Sequence, residues 1–245
     1  MKHVPSILLA MGILSTTATA NTNTVTDLFQ APNGKTVTFT CIQHASLRIQ
    51  YDDLEIQVDP VSTLAPATDY ARFPKADLVL VTHEHFDHFD KNALATLRKD
   101  GTAYYVNPAV RGMLGYGTAL GNGERATFRE DVSVEAVPAY NTTPGREKFH
   151  PKGRDNGYVL TLGGFRVYIA GDTEDIPEMA AIRNVDVAFL PVNQPYTMTP
   201  EQAERAARTI APKVLFPYHY SQTPIRLVAE RLEGSGIDVR IRDYQ

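Results

Sequence analysis

The sequence predicts an α/β protein with sheets covered by helices. Short β-branched runs crowd the early part of the chain, helix-like segments with clear start signals alternate with later strands, and no repeat, low-complexity tract or long linker divides it. Hydrophobic residues make up 43% and charged residues 21% of the 245, a globular balance with room for one sizeable domain. We read that single domain as residues 21–245.

The first twenty residues read as a secretory signal peptide. Lys2 and His3 precede the apolar run Val4–Leu14, and Ala18-Thr19-Ala20 supplies the small-x-small pattern of a cleavage site, with the cut after Ala20. The apolar run is too short to cross a bilayer comfortably, so the expected product is periplasmic or secreted, with no stable membrane anchor. Residues 35–42, 45–51 and 54–58 then read as successive strands of a meander, broken by Asp52-Asp53 and Asp59-Pro60. Cys41, the only cysteine, falls in the first of these and is expected to be a small buried apolar group. Asp90 to Lys99 has helical spacing at Leu94 and Leu97, and Gly101 stops it. Thr199-Pro200-Glu201-Gln202 is a capping box with proline at the first helical position; Thr223-Pro224 opens another helix that runs to Gly234.

Three apolar runs each end at a side chain able to bind a metal. Leu78–Val81 leads to His83, Phe165–Gly171 to Asp172, and Lys213–Tyr218 to His219. Strand ends suit such sites, because the sheet fixes them while the following loops adapt. Three of the chain's 7 histidines, His83, His85 and His88, lie within one short stretch that also carries Asp87. In an extended segment His83 and His85 point the same way, and a turn after Phe86 brings Asp87 and His88 toward a second cation. A histidine-rich surface loop is the plainer alternative. The net charge of −4 gives no support for a polyanionic partner, so nucleic acid is not expected.

Thr82-His83-Glu84-His85-Phe86-Asp87-His88 resembles the H-x-H-x-D-H signature of the metallo-β-lactamase fold superfamily, and Gly171-Asp172-Thr173 resembles its G-D-T element. Val58-Asp59-Pro60, Leu190-Pro191-Val192 and Pro217-Tyr218-His219-Tyr220 resemble members close to the ascorbate-6-phosphate lactonase and the acyl-phosphatidylethanolamine phosphodiesterases. The resemblance implies a four-layer αββα sandwich with its metals at one edge of two packed sheets. It implies a first ion held by His83, His85 and a third histidine, a second held by Asp87, His88 and His219, and Asp172 bridging them. His150 is assigned as the third histidine; Tyr140, which follows Val137-Pro138-Ala139, is the alternative group near the site. His44 resembles a position near the active site in relatives, with a role behind the ligands or in the core.

Two divalent cations sharing a water lower its pKa and polarise a carbonyl or phosphoryl oxygen. The expected reaction is therefore hydrolysis of a lactone, ester, thioester or phosphodiester by a bridging hydroxide, with Asp172 and Asp87 as its catalytic carboxylates. Zn²⁺ fits the imidazole and carboxylate donors, as do Mn²⁺ and Fe²⁺. Redox relatives usually carry Glu where this chain has His85, which argues for hydrolysis; β-lactam cleavage is not expected, because those enzymes generally lack a bridging Asp in a Gly-Asp-Thr setting. Lys148 and Lys152, in the basic stretch 145–154, are expected to steer a small anionic substrate. Tyr196, in the stretch 193–198, is expected to line the pocket. The rival reading is a non-catalytic exported metal scavenger or sensor.

Overall fold

The computed structural model describes residues 25–244, so the segment expected to be a signal peptide, residues 1–20, lies outside the described residues. The first sheet contains β1 (Thr26–Gln30), β2 (Thr36–Gln43), β3 (Ser46–Tyr51), β4 (Leu54–Val58), β5 (Leu78–Val81), β6 (Ala103–Val106) and β7 (Thr118–Ala119), side by side in chain order. β1 to β4 pair antiparallel, and β5 to β7 then add in parallel. The second sheet repeats this plan. β8 (Arg125–Arg129), β9 (Val132–Ala139), β10 (Asp155–Leu162) and β11 (Phe165–Ile169) pair antiparallel; β12 (Val187–Pro191), β13 (Val214–Tyr218) and β14 (Asp238–Val239) follow in parallel.

The two-residue period of a strand sends alternate side chains to opposite faces, and both faces of the inner parallel strands β5, β6, β12 and β13 are covered, while the edge strands β7 and β14 are not. In β5, Leu78 and Leu80 enter the core between the sheets, while Val79 and Val81 pack beneath α1 (Lys91–Leu97) and α2 (Pro108–Leu114). In β12, Val187 and Phe189 enter the same central core, while Ala188 and Leu190 meet α3 (Pro200–Ile210) and α4 (Arg226–Arg231). These four layers form an αββα sandwich. Phe189 joins the sheets, lying 5.5 Å from Phe39 across the core and 5.1 Å from Phe216 beside it, centroid to centroid. Cutting such a buried ring back to alanine costs about 3–5 kcal/mol. Cys41 is buried, and burial pushes its thiol up to about 12, so it behaves as core rather than as a nucleophile.

The capping box at Thr199 forms as expected: its hydroxyl accepts from Gln202 N at 3.1 Å, and Gln202 Oε1 accepts from Thr199 N at 2.8 Å. The helix expected from Thr223 to Gly234 is regular only over Arg226–Arg231, because Ile225 at its start supplies no side-chain cap and single turns replace the helix at both ends. α2 was not expected, although its signals are present. Asn107 Oδ1 accepts from Val110 N at 2.8 Å, Pro108 opens the helix, and Gly115 closes it at φ +82°.

Candidate metal centre

The parallel strands end along one edge of the sandwich, and the loop after β5 folds there against Asp59, which follows β4. Asp59 is fully buried; its carboxylate accepts from Thr82 N at 2.8 Å and Thr82 Oγ1 at 2.7 Å, and lies 2.8 Å from His88 Nδ1. Carboxylates placed behind an imidazole in this way fix its tautomer and orientation. The His85 carbonyl accepts from His88 N at 3.0 Å and Phe89 N at 2.9 Å, so the turn spans His85–Phe89. Asp90 then caps α1, accepting from Asn92 N at 2.8 Å. Pinned at both ends, the loop faces His83 Nε2 toward His85 Nδ1 at 3.0 Å and presents Asp87 and His88 beyond them.

The other sheet completes two groups. His150, between β9 and β10, places Nε2 3.2 Å from Asp172 Oδ2, beside His83 and His85. His219, after β13, places Nε2 3.1 Å from His88 Nε2 and 3.6 Å from Asp87 Oδ2. Asp172 stands between the groups, with Oδ1 3.3 Å from His88 Nε2 and Oδ2 3.3 Å from His219 Nε2.

These separations suit metal ions. Donor atoms about 2.0–2.1 Å from one ion at tetrahedral angles lie about 3.3 Å apart, and their imidazole rings lie about 5 Å apart. The ring centroids of His83–His150, His85–His150 and His88–His219 are 5.2, 5.0 and 5.1 Å apart. Buried His150 Nε2 and Asp172 Oδ1 have no hydrogen-bond partner, a costly state that a cation relieves. His44 Nε2 also reaches the second group, 3.1 Å from Asp87 Oδ2, but its ring lies only 3.7 Å from that of His219. The two rings are tilted at 44°, and His44 Nε2 stands with Asp87, His88 and His219 in one group of possible donors.

Charge coupling in the metal-free site follows. Burial opposes charge on His88, yet Asp172, Asp87 and Asp59 raise its pKa well above the ordinary value. Burial likewise opposes charge on His219, and Asp172 and Asp87 outweigh it, raising its pKa to about 9. His83, buried and beside His88, is held well below its usual range. Asp172 is also buried, but His219 and His88 hold its carboxyl low. In the metal-free chain, protons on His88 and His219 thus balance the carboxylates.

Residues 38–219 match the family profile of the beta-lactamase superfamily domain. A metal-dependent hydrolase from Ignicoccus hospitalis is 33% identical over 203 residues, 77% of this chain and 84% of the relative. A crystal structure from Parabacteroides distasonis, assigned as a metal-dependent hydrolase, superposes with a TM-score of 0.87 at 53% identity, covering 91% of this chain and 100% of that one. A metallo hydrolase structure from Ignicoccus hospitalis superposes with a TM-score of 0.72 at 27% identity, covering 84% of this chain and 95% of that one. This chain is a metal-dependent hydrolase of the metallo-β-lactamase superfamily.

The hydrolase's metal groups open onto a cavity of about 380 Å³ lined by aromatic Phe86, Phe149 and Tyr196 and by Asn193. Tyr196 thus lies on the wall where the sequence suggested it, and its carbonyl sits 3.2 Å from His150 Nδ1, fixing that ring. Lys148 is exposed at the rim, its ammonium 5.2 Å from the centre of the Phe149 ring. Tyr140 and Lys152 correct the expectation. Tyr140 donates to Glu178 Oε2 at 2.7 Å and Lys152 to Glu178 Oε1 at 2.7 Å, away from the cavity. The cause is packing: the Tyr140 ring joins Val137 and Met179 in the cluster on the helix-covered face of the second sheet, so Tyr140 cannot replace His150.

Asp59, Thr82, Phe86 and Phe149 were not assigned to the site from sequence, whereas Asn193 falls in the stretch 193–198 expected to line the pocket. For Asp59 the signal was available, since an acid directly after an apolar strand is the pattern that pointed to Asp172.

Proposed function

We propose that this hydrolase is exported, holds two divalent ions, and cleaves a small lactone, ester, thioester or phosphodiester. The observation that carries the binuclear reading is Asp172, whose two oxygens face donor nitrogens of both groups. When bound, the two ions supply Lewis acidity toward the scissile oxygen and a shared water of lowered pKa. The chain's own residues do the rest. Asp172 sets the distance between the groups, and Asp87, steadied by His44, is placed to orient the attacking oxygen and hold its proton. Phe86, Phe149 and Tyr196 narrow the cavity and exclude bulk water around the developing charge. Zn²⁺ suits the donor set best, with Mn²⁺ and Fe²⁺ compatible. A scavenger has no use for donors that face a cavity of this size, whereas catalysis requires an open position.

Export rests on Lys2, the apolar run Val4–Leu14 and Ala18-Thr19-Ala20. Among the described residues no helix is long and apolar enough to cross a membrane. N-terminal sequencing of the mature protein should begin at Asn21. For the activity, metal-stripped protein is reloaded with Zn²⁺, Mn²⁺ or Fe²⁺ and run against esters, lactones, thioesters and phosphodiesters. Two ions per chain and restored turnover are expected; metal-loaded protein inert on the whole panel overturns the proposal.

A further inference from the structure

The metal cavity shares part of its wall, at Asn193 and Tyr196, with a second cavity of about 620 Å³, whose farther wall includes Pro200, Pro224 and Leu227. Of the large hydrophobic side chains exposed among the described residues, Phe86 (76%), Tyr196 (45%) and Leu227 (37%) border these two cavities. Phe149 meets the Tyr196 ring edge-on, with centroids 5.0 Å apart. Apolar side chains thus follow one another from the metal groups across Tyr196 to Pro224 and Leu227, among uncharged polar neighbours such as Gln194, Gln222 and Thr223.

Charge along that path is largely neutralised. Arg146 donates to Gln194 Oε1 at 2.8 Å and lies 3.7 Å from Glu174; Arg154 is paired with Asp155 at 2.6 Å and Glu84 at 3.2 Å; Lys152 is paired with Glu178. Of the four basic residues in 145–154, Lys148 alone makes no ion pair among the described residues. The N-terminus of α3 borders the second cavity, but its capping box already uses the Thr199 and Gln202 amides, Pro200 has no N–H, and Glu201 adds negative charge. A phosphate lying there would find little to bind it.

Resting on the hydrolase reading above, we infer that the substrate is an uncharged carboxylic ester or lactone with an apolar arm. Its carbonyl sits at the metal groups, and the arm runs over Tyr196 to Leu227. One water is consumed: its oxygen bonds to the carbonyl carbon, the carbon–oxygen bond to the alcohol breaks, and its protons pass to the leaving alcohol and to solvent, leaving a carboxylate.

The test is a chain-length series. With Zn²⁺-loaded mature protein, kcat/KM should rise at least about tenfold from p-nitrophenyl acetate to the octanoate, since each added methylene finds apolar wall. Any such ester should exceed bis(p-nitrophenyl) phosphate. Leu227→Asp, or the milder Leu227→Gln, should bring the octanoate-to-acetate ratio to about one, while Met113→Asp, on the opposite sheet's helix layer, keeps the wild-type ratio. Metal-free protein should also enhance the fluorescence of neutral N-phenyl-1-naphthylamine, and Leu227→Asp should abolish this. A flat series, an unchanged ratio in both Leu227 variants, or a preference for the phosphodiester overturns the inference. The last result leaves the hydrolase reading standing; inertness toward the whole set with two ions bound overturns both.

Discussion

Four antiparallel strands followed by three parallel ones describe both sheets, so each strand end in one half has a counterpart in the other. The β2–β3 turn carries His44 where the β9–β10 loop carries His150. Asp59 follows β4 as Asp172 follows β11, and Asn107 follows β6 as His219 follows β13. Two of these three pairs match in residue type, yet their roles differ. His150 and Asp172 face the donor atoms of the metal groups, and Asp59 sits behind them against Thr82 and His88, whereas His44 lies at the margin of the second group, against Asp87. The cause is the loop after the next strand. After β5 it folds over the sheet edge, supplies four donors itself and covers Asp59; after β12 it retreats into the cavity wall at Asn193 and Tyr196, leaving Asp172 open to both groups. Position in the fold places an acid or a histidine at the edge, and the neighbouring loop decides whether it meets an ion.

The largest test of that contrast is Asp172→Ala. Removing the carboxylate shared by both groups should lower kcat/KM on the order of a thousandfold or more, and metal analysis should find fewer than two ions per chain. A variant that keeps two ions and most of its turnover would put Asp172 in the same class as Asp59, and the contrast would fail.

Acid dependence probes the two halves together, because His88 and His219 come from different sheets and both carry protons in the metal-free chain. An ion must displace these protons, so affinity should fall as pH drops below about 9, by about fiftyfold between pH 9 and 7 for the His219 proton alone. Calorimetry at pH 7 in buffers of different ionisation enthalpy should read at least one proton released per chain. Stability of the metal-free protein runs the opposite way. A raised folded-state pKa stabilises most below the ordinary histidine value of 6.5 and loses that contribution as pH rises through about 9, so the metal-free melting temperature should decline over that window. A flat profile would mean that the carboxylates do not hold these protons.

Asp59→Asn keeps the shape but weakens the acceptor behind His88 and Thr82. Metal affinity measured by chelator competition should fall about 10–100-fold, while turnover at saturating metal persists. A loss of turnover as deep as that of Asp172→Ala, with both ions present, would give Asp59 a direct role.

Much of the candidate site could be read before the fold was seen, because its possible metal donors stand at the ends of apolar runs. His83 to His88, Asp172 and His219 all follow that rule, and Asp59 follows it too without being a ligand, which shows its limit. The core strands and the capped α3 were equally legible, since periodicity and caps are local. What sequence could not supply depends on facing: Tyr140 turns to the helix-covered side of its sheet, and in the basic stretch 145–154 Arg146, Lys152 and Arg154 are paired with acids far away in the chain, Lys152 being one of the two lysines expected to steer an anion. Loop residues such as Phe86 and Phe149 become a wall only when the two sheets meet.

The smallest effect expected is at His44, and it is the most discriminating because His150 is its counterpart. His150→Ala removes a nitrogen of the group proposed to hold the first ion, so one ion's affinity should collapse. His44→Ala removes a ring that lies tilted against His219 at 3.7 Å and holds Asp87 at 3.1 Å, so both ions should remain, with less than about a tenfold loss in the second ion's affinity. Cobalt substitution separates the two roles without reference to activity. The visible absorption of the second Co²⁺ reports its coordination, and it should be little changed in His44→Ala if the ring stands behind Asp87. A large change in that spectrum, or loss of the second ion, would show that His44 is itself a ligand and that the two halves use this position alike.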